Sequence, residues 1–236
     1  MHSSKDPMGR AIAEYQRTGK SDKLRVFSPM FEEDEIPLPT LFRRYGDMPA
    51  IERKALDMAR GKVLDVGAGA GCHSLVLQER GIDVTAIDIS PLAVETMRLR
   101  GVKNVLEEDF FAHQVKYDTI LMMMNGIGIV GTLAGLPDFF RQLSQLLTSD
   151  GQLLCDSSDI SYLFEDEEGC FDYPGSGYYG EQMFRMQYKD TIGEPFPWLY
   201  IDKESLIEEA RKNGFQADII AEGDHYDYLA SITRKH

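Results

Sequence analysis

The chain has 236 residues, 43% of them hydrophobic, enough for one sizeable core and at most a small accessory lobe. Its formal net charge of −14 sets up a field that repels polyanions, so neither nucleic acid nor an anionic membrane is expected as a partner. Cys72, Cys155 and Cys170 are far apart and without paired spacing, which fits neither a disulfide framework nor a zinc site; a reducing cytoplasm and no metal are expected.

The opening MHSSKDPMGR lacks the apolar run and cleavage pattern of a signal peptide, and its first few residues are set aside from the fold reading. A helix is predicted over Arg10 to Arg17, then a loop rich in proline and acidic residues from Pro29 to Pro39, so residues 1–49 are expected to form a helical lid segment. From Lys62 short β-type runs alternate with helical ones, the signature of a parallel sheet covered on both faces. VLDV at 63–66 is the first strand, followed by a helix from Cys72 to Arg80 that Gly81 stops. VTAI at 84–87 is the second; Ser90 is placed as an N-cap with Pro91 at the first helical position, and Gly101 closes that helix. NVLE at 104–107 is the third.

TILMMM at 119–124 reads as a central strand buried on both faces. Thr119 to Leu136 is uncharged over about the eighteen residues of a membrane span, but Asn125, Thr132 and its glycines favour a strand, a glycine-rich loop and a helix start. Leu136, Phe139, Phe140, Leu143 and Leu147 then fall at helical spacing, and Ser149-Asp150-Gly151 ends that helix. QLLCD at 152–156 is a fifth strand, Lys203 to Lys212 a last helix, and 215–221 and 226–234 two closing strands. The expected fold is α/β, a doubly wound, mostly parallel seven-stranded sheet over residues 50–236. Residues 157–201 interrupt it. There Phe184, Met186 and Tyr188 alternate with Arg185, Gln187 and Lys189 as a half-buried strand, and Trp198 to Ile201 is placed to pair with it, giving a small inserted β lobe.

The informative motif is VLDVGAGAGCHS, in which Asp65 precedes Gly67, Gly69 and Gly71 between the first strand and its helix. Glycines there let the backbone turn sharply and let a ligand approach the main chain. A dinucleotide fingerprint would place its third glycine where Cys72 stands, so the spacing favours a different nucleoside ligand. Asp88, about twenty residues past the first glycine, is suited to accept both ribose hydroxyls. Asp109, followed by Phe110 and Phe111 after the third strand, is suited to an adenine amino group and ring.

These residues resemble class I S-adenosylmethionine-dependent methyltransferases, across roughly Ala50 to Arg234 and most specifically from Val63 to Gly131. The resemblance implies S-adenosylmethionine as cofactor. It implies that Asp65 and the Gly67-Ala68-Gly69 turn with Gly71 hold the methionine end, Asp88 with Ile89 the ribose, and Asp109 with Phe110 the adenine. Asn125, in NGIGIVG after the fourth strand, stands where such enzymes contact the cofactor near its methyl group. An Asn-Pro-Pro-Tyr-type motif is absent there, so the amino-group methylation of nucleobases or glutamine that goes with it is not implied.

A general base is needed only if the acceptor must lose a proton. His225 in GDHYDY is the first candidate, with Asp156 at the end of the fifth strand and Glu181 as alternatives; each also has a purely structural use as a turn, strand or capping residue. His73 is expected to pack against the N-terminal segment. Of Arg43 and Arg44, one is placed to reach the cofactor carboxylate, a solvated pair being the other reading. Acceptor recognition is expected in Ser157 to Tyr200 together with residues up to about Tyr45, where Tyr162, Tyr178, Tyr179, Arg185, Trp198 and Tyr200 suit a small, partly apolar molecule. A homodimer contact is the competing use of these aromatics. Two other readings of the whole chain are a non-catalytic nucleoside-binding module and a nicotinamide-dependent oxidoreductase, the latter disfavoured by Cys72.

Overall fold

Asp6 opens the first helix by accepting the Gly9 N–H, and Pro7 supplies a pre-set φ at the first helical position. In the computed structural model, which describes residues 5–166 and 168–235, this is α1 (Pro7–Thr18), longer at both ends than its apolar pattern. Two short strands that the sequence pattern does not predict follow it, β1 (Leu24–Phe27) before the proline-rich loop and β2 (Asp34–Ile36) within it. A helix also unanticipated, α2 (Ala50–Met58), leads into the alternating part of the chain.

That part runs β3 (Lys62–Val66), α3 (Cys72–Glu79), β4 (Asp83–Asp88), α4 (Pro91–Leu99), β5 (Asn104–Glu107), β6 (Tyr117–Met122), α5 (Leu136–Leu146) and β7 (Leu147–Ser158). After the inserted strands β8 (Glu181–Tyr188), β9 (Thr191–Ile192) and β10 (Phe196–Leu199) it closes with α6 (Lys203–Lys212), β11 (Phe215–Glu222) and β12 (Asp227–Arg234). The main sheet has seven strands in the order β11-β12-β7-β6-β3-β4-β5, parallel from β7 to β5, with β12 antiparallel to β7 and β11 antiparallel to β12. Ser90 caps α4 through the Ala93 N–H, as its place before Pro91 predicts.

Burial on both faces explains the unbroken apolar run of β6. Ile120 and Met122 pack with Phe139, Phe140 and Leu143 of α5, while Leu121 packs with Ile51 and Leu56 of α2 and Leu77 of α3. The run outlasts its strand, because Met123 to Asn125 turn away from the sheet, and β7 begins at Leu147 directly after α5, earlier than the expected 152. Among the described residues no helix is long and apolar enough to cross a membrane; Thr119–Leu136 divides among β6, a glycine-rich turn region and the start of α5.

The two segments outside the main sheet meet. β8 pairs antiparallel with β1, Leu24 opposite Tyr188 and Val26 opposite Met186, and with β10, Phe196 opposite Phe184. With β2 and β9 they form a five-stranded second sheet in the order β10-β8-β1-β2. Its apolar face shares a core with α1, where Ile12, Leu24, Leu38, Leu41 and Tyr188 cluster with Ala70 of the glycine loop and Ala93 of α4.

Candidate active site

The parallel strands end on one edge, and the predicted residues follow it from β3 to β7. Gly67, Gly69 and Gly71 have φ of 65°, 57° and 78°, a left-handed backbone that side chains with a Cβ rarely adopt. A Cβ built at Gly67 meets no protein atom within 4 Å, so main chain lines open space there, whereas one at Gly71 would press on Met97 and Val102 at 3.0 Å. Ala68 is 8% exposed within the same turn. Asp65, beneath the loop, is 2% exposed and accepts the Ser74 hydroxyl at 2.6 Å; burial pushes its carboxyl up.

Asp88 ends β4 half-buried. Its Oδ2 accepts the Gly69 N–H at 2.9 Å and its Oδ1 the Ser90 N–H at 2.8 Å, so one carboxylate braces the glycine loop and the start of α4. Burial raises its pKa to about 6, against the two amides and with help from Asp6 and Asp65. Asp6 itself receives the Ser90 hydroxyl, which ties the start of α1 to this corner. Ile89 beside it is 49% exposed. Asp109 is exposed and caps a short turn by accepting the Phe111 N–H at 2.9 Å. The two phenylalanines part company: Phe110 is 3% exposed and packs on Phe139, while Phe111 is 44% exposed.

Asn125 lies beyond β6 with a left-handed backbone, donates its Nδ2 to the Leu199 carbonyl at 3.3 Å, and leaves a buried Oδ1 with no partner. Asp156 sits beneath it, 6% exposed, with its oxygens taken by backbone N–H groups of Met124 and Asn125. Burial, with Glu52 adding to it, brings its pKa to about 7. Glu181, at the start of β8, accepts the Leu133 N–H at 2.8 Å, and the Trp198 indole lies so close over Gly128 that a Cβ there would collide with it. These contacts seat the second sheet on the glycine-rich turns after β6. His225 stands apart from this packing: it is exposed on the β11–β12 turn, with only its N–H engaged, to Asp227.

A buried charge network was not foreseen. Arg43 and His73 both bind Glu52, the latter at 2.9 Å, with all three side chains no more than 10% exposed. Burial would lower the His73 pKa, but Cys72, Glu52 and Asp65 outweigh it and hold the imidazole well above its ordinary value. Burial likewise opposes ionisation of Glu52, yet His73 and Arg43 keep it below the usual carboxylate range. Arg43 Nε is buried without a partner, whereas Arg44 is exposed. The missing signal was α2: placed on a helix, Glu52 falls on the same buried face as Ile51, Ala55 and Leu56.

A family described as a methyltransferase domain matches residues 37–219. A crystal structure of a SAM-dependent methyltransferase from Bacteroides fragilis, in complex with S-adenosyl-L-homocysteine, is 56% identical at a TM-score of 0.95, covering 100% of this chain and 98% of that one. The CcbJ methyltransferase from Streptomyces caelestis covers 98% of each chain at a TM-score of 0.65, but at 13% identity it speaks for the fold alone. The ubiquinone biosynthesis O-methyltransferase of Xanthomonas oryzae pv. oryzae is 39% identical over 61 residues, so the chain spans only 26% of the length of that curated relative.

Proposed function

This chain belongs to the S-adenosylmethionine-dependent methyltransferase family, and on that premise we propose that it transfers the methyl group of S-adenosylmethionine to a small-molecule acceptor held beneath the second sheet. The observation that carries the reading is the line of polar groups along one sheet edge: Asp65 and the bare glycine backbone, Asp88, Asp109 and Asn125, at the ends of successive strands.

The residues fit the cofactor. A carboxylate has about four lone-pair directions, and Asp88 commits two of them to Gly69 and Ser90, which leaves two for ribose hydroxyls. The unpartnered Arg43 Nε is suited to the methionine carboxylate, and the unpartnered Asn125 Oδ1 to an N–H or O–H donor. Asp109 offers an acceptor to the adenine amino group, with exposed Ile89 and Phe111 as apolar surface and Phe110 as the floor beneath. The cofactor supplies an already activated methyl group. The chain's own work is then to bind, orient and exclude water.

For the acceptor, we assign the ends of β6 and β7 where the second sheet packs over them, with Ser157 to Tyr200 and the N-terminal residues up to about Tyr45 as the recognition elements. Of the three candidate bases, Glu181 is half-buried with Oε1 held by Leu133 and its second oxygen left over, Asp156 is engaged by backbone amides, and His225 is exposed. Glu181 is the base we assign if the acceptor must lose a proton. The net charge of −14 supports an enzyme acting on neither nucleic acid nor an anionic membrane, and the three cysteines without paired spacing support a reducing cytoplasm. Light scattering decides whether the lobe aromatics instead build a homodimer.

Calorimetry with S-adenosylmethionine, S-adenosylhomocysteine and NAD tests the reading. Binding of the sulfur ligands and silence toward NAD is the expected result; NAD binding with no response to S-adenosylhomocysteine overturns it.

A further inference from the structure

Among the described residues four that are not glycine have positive φ, and only Met124 (φ 64°) and Asn125 (φ 57°) are adjacent. Left-handed backbone is tolerated by Asn but costly for Met, so two such residues in succession persist where the surroundings favour them. Besides the Leu199 carbonyl, which Asn125 Nδ2 reaches, the group that holds this turn is one carboxylate. Asp156, at the far end of β7 and almost wholly buried, accepts the Met124 N–H at 3.1 Å on Oδ2 and the Asn125 N–H at 2.8 Å on Oδ1, with the Gly126 N–H at a longer 3.4 Å. The two oxygens thus take up the consecutive amides of this left-handed turn, one each, and tie it to the end of β7. The same turn leaves Asn125 Oδ1 buried without a donor, the mark of a group awaiting a ligand.

We propose that Asp156 is a positioning residue for the ligand site: by holding Met124 and Asn125 left-handed it aims Asn125 Oδ1 at the bound molecule. This rests on the strand-end cleft being the cofactor site, as assigned above. Asp156 acts through the backbone of its neighbours and touches no ligand itself.

The prediction is a rescue that a merely structural carboxylate would not give. Asp156→Ala should weaken S-adenosylhomocysteine binding by about tenfold or more in calorimetry while keeping a cooperative thermal transition. Adding Met124→Gly, which makes positive φ free of strain at that position, should restore about threefold or more of the loss. An Asp156→Ala protein that binds as wild type, or a double variant with no recovery, overturns the proposal. Should Asp156→Ala not fold, Asp156→Asn carries the test: faster amide exchange at Met124 to Gly126 together with weaker binding supports it, and wild-type values of either overturn it. Wild-type protein that ignores S-adenosylhomocysteine overturns the cofactor reading and this assignment with it, whereas normal wild-type binding beside an indifferent Asp156→Ala overturns this assignment alone.

Discussion

The two sheets of this molecule are built on opposite plans. Along the side proposed for the cofactor, β3, β4 and β5 are neighbours both in sequence and in space, and each is followed within a few residues by the polar group assigned to the ligand. The second sheet joins Leu24 to Tyr188 and Val26 to Met186, so its pairs are decided by segments that know nothing of each other locally. A cofactor used by many enzymes can be held by a portable strand-turn-helix module, while the part assigned to the acceptor is assembled from what the chain has left at its two excursions.

If that division is real, the sharpest blow to one side should spare the other. Asp88→Ala removes the carboxylate proposed for the ribose, and with each charged hydrogen bond worth about 1.5–3 kcal/mol, affinity for S-adenosylhomocysteine should fall by at least about tenfold. The thermal transition should survive, since the lost group is a carboxyl that burial already disfavours. Leu24→Ala is the converse. Leu24 is 0% exposed in the core under the second sheet, so truncation should cost about 2–5 kcal/mol. At about 2–4 °C per kcal/mol for a chain of this size, differential scanning fluorimetry should record a loss of about 4–20 °C. Calorimetry should find cofactor affinity within about threefold of wild type; a Leu24→Ala protein that loses affinity as steeply as Asp88→Ala would show that the two sheets are one site.

A gentler probe is pH. Burial brings the pKa of Asp88 to about 6, and in the proposed site only its ionised form would accept two ribose hydroxyls, so affinity should be full well above that value and decline as pH falls through it, approaching about tenfold per unit. Its effect on folding runs the other way. The folded chain binds this proton, and that of Asp156 near pH 7, more tightly than an unfolded chain with a carboxyl near 3.9, so these two groups add stability as pH falls from about 7 toward 4. Opposite signs in calorimetry and in denaturant titration are expected; parallel declines would mean that the acidic corner unfolds. The smallest effect is reserved for His225→Ala, which removes an exposed imidazole whose residue is held by its backbone and should change S-adenosylhomocysteine affinity by less than about twofold.

Legibility in the sequence followed the same line. The strand at 104–107, the helix at 203–212, the Ser90 cap and the glycine loop were each written in a few consecutive residues, and the structure places them there. The β8–β10 pairing was also visible, from the alternation of Phe184, Met186 and Tyr188 with polar neighbours, but the partner of β8 is Phe196–Leu199 where Trp198 to Ile201 is expected, so Tyr200 and Ile201 lie past the strand. β1 was not, because four residues with an arginine among them carry no period until Tyr188 and Met186 lie opposite. Phe110 and Phe111 looked alike in sequence, and only the packing of α5 decides that Phe110 faces the core. The Arg43–Glu52–His73 network required α2 to be seen first, and nine residues beginning after a proline announced it weakly.

The pairing of β1 with β8 also sets a timetable. During synthesis Leu24 to Phe27 emerges early and finds β2 at once, but its other edge waits until Glu181 to Tyr188 has been made, after every parallel strand of the main sheet. Contacts this distant along the chain are slow to form, and an unsatisfied strand edge is a place where nascent chains stick to one another. Arg25 within β1, and Asp34 and Glu35 on the strand beside it, place charge where a foreign strand would dock. Among the described strands, the earliest made thus gains its second partner late, and the charge beside its waiting edge is expected to discourage a foreign strand from taking that place.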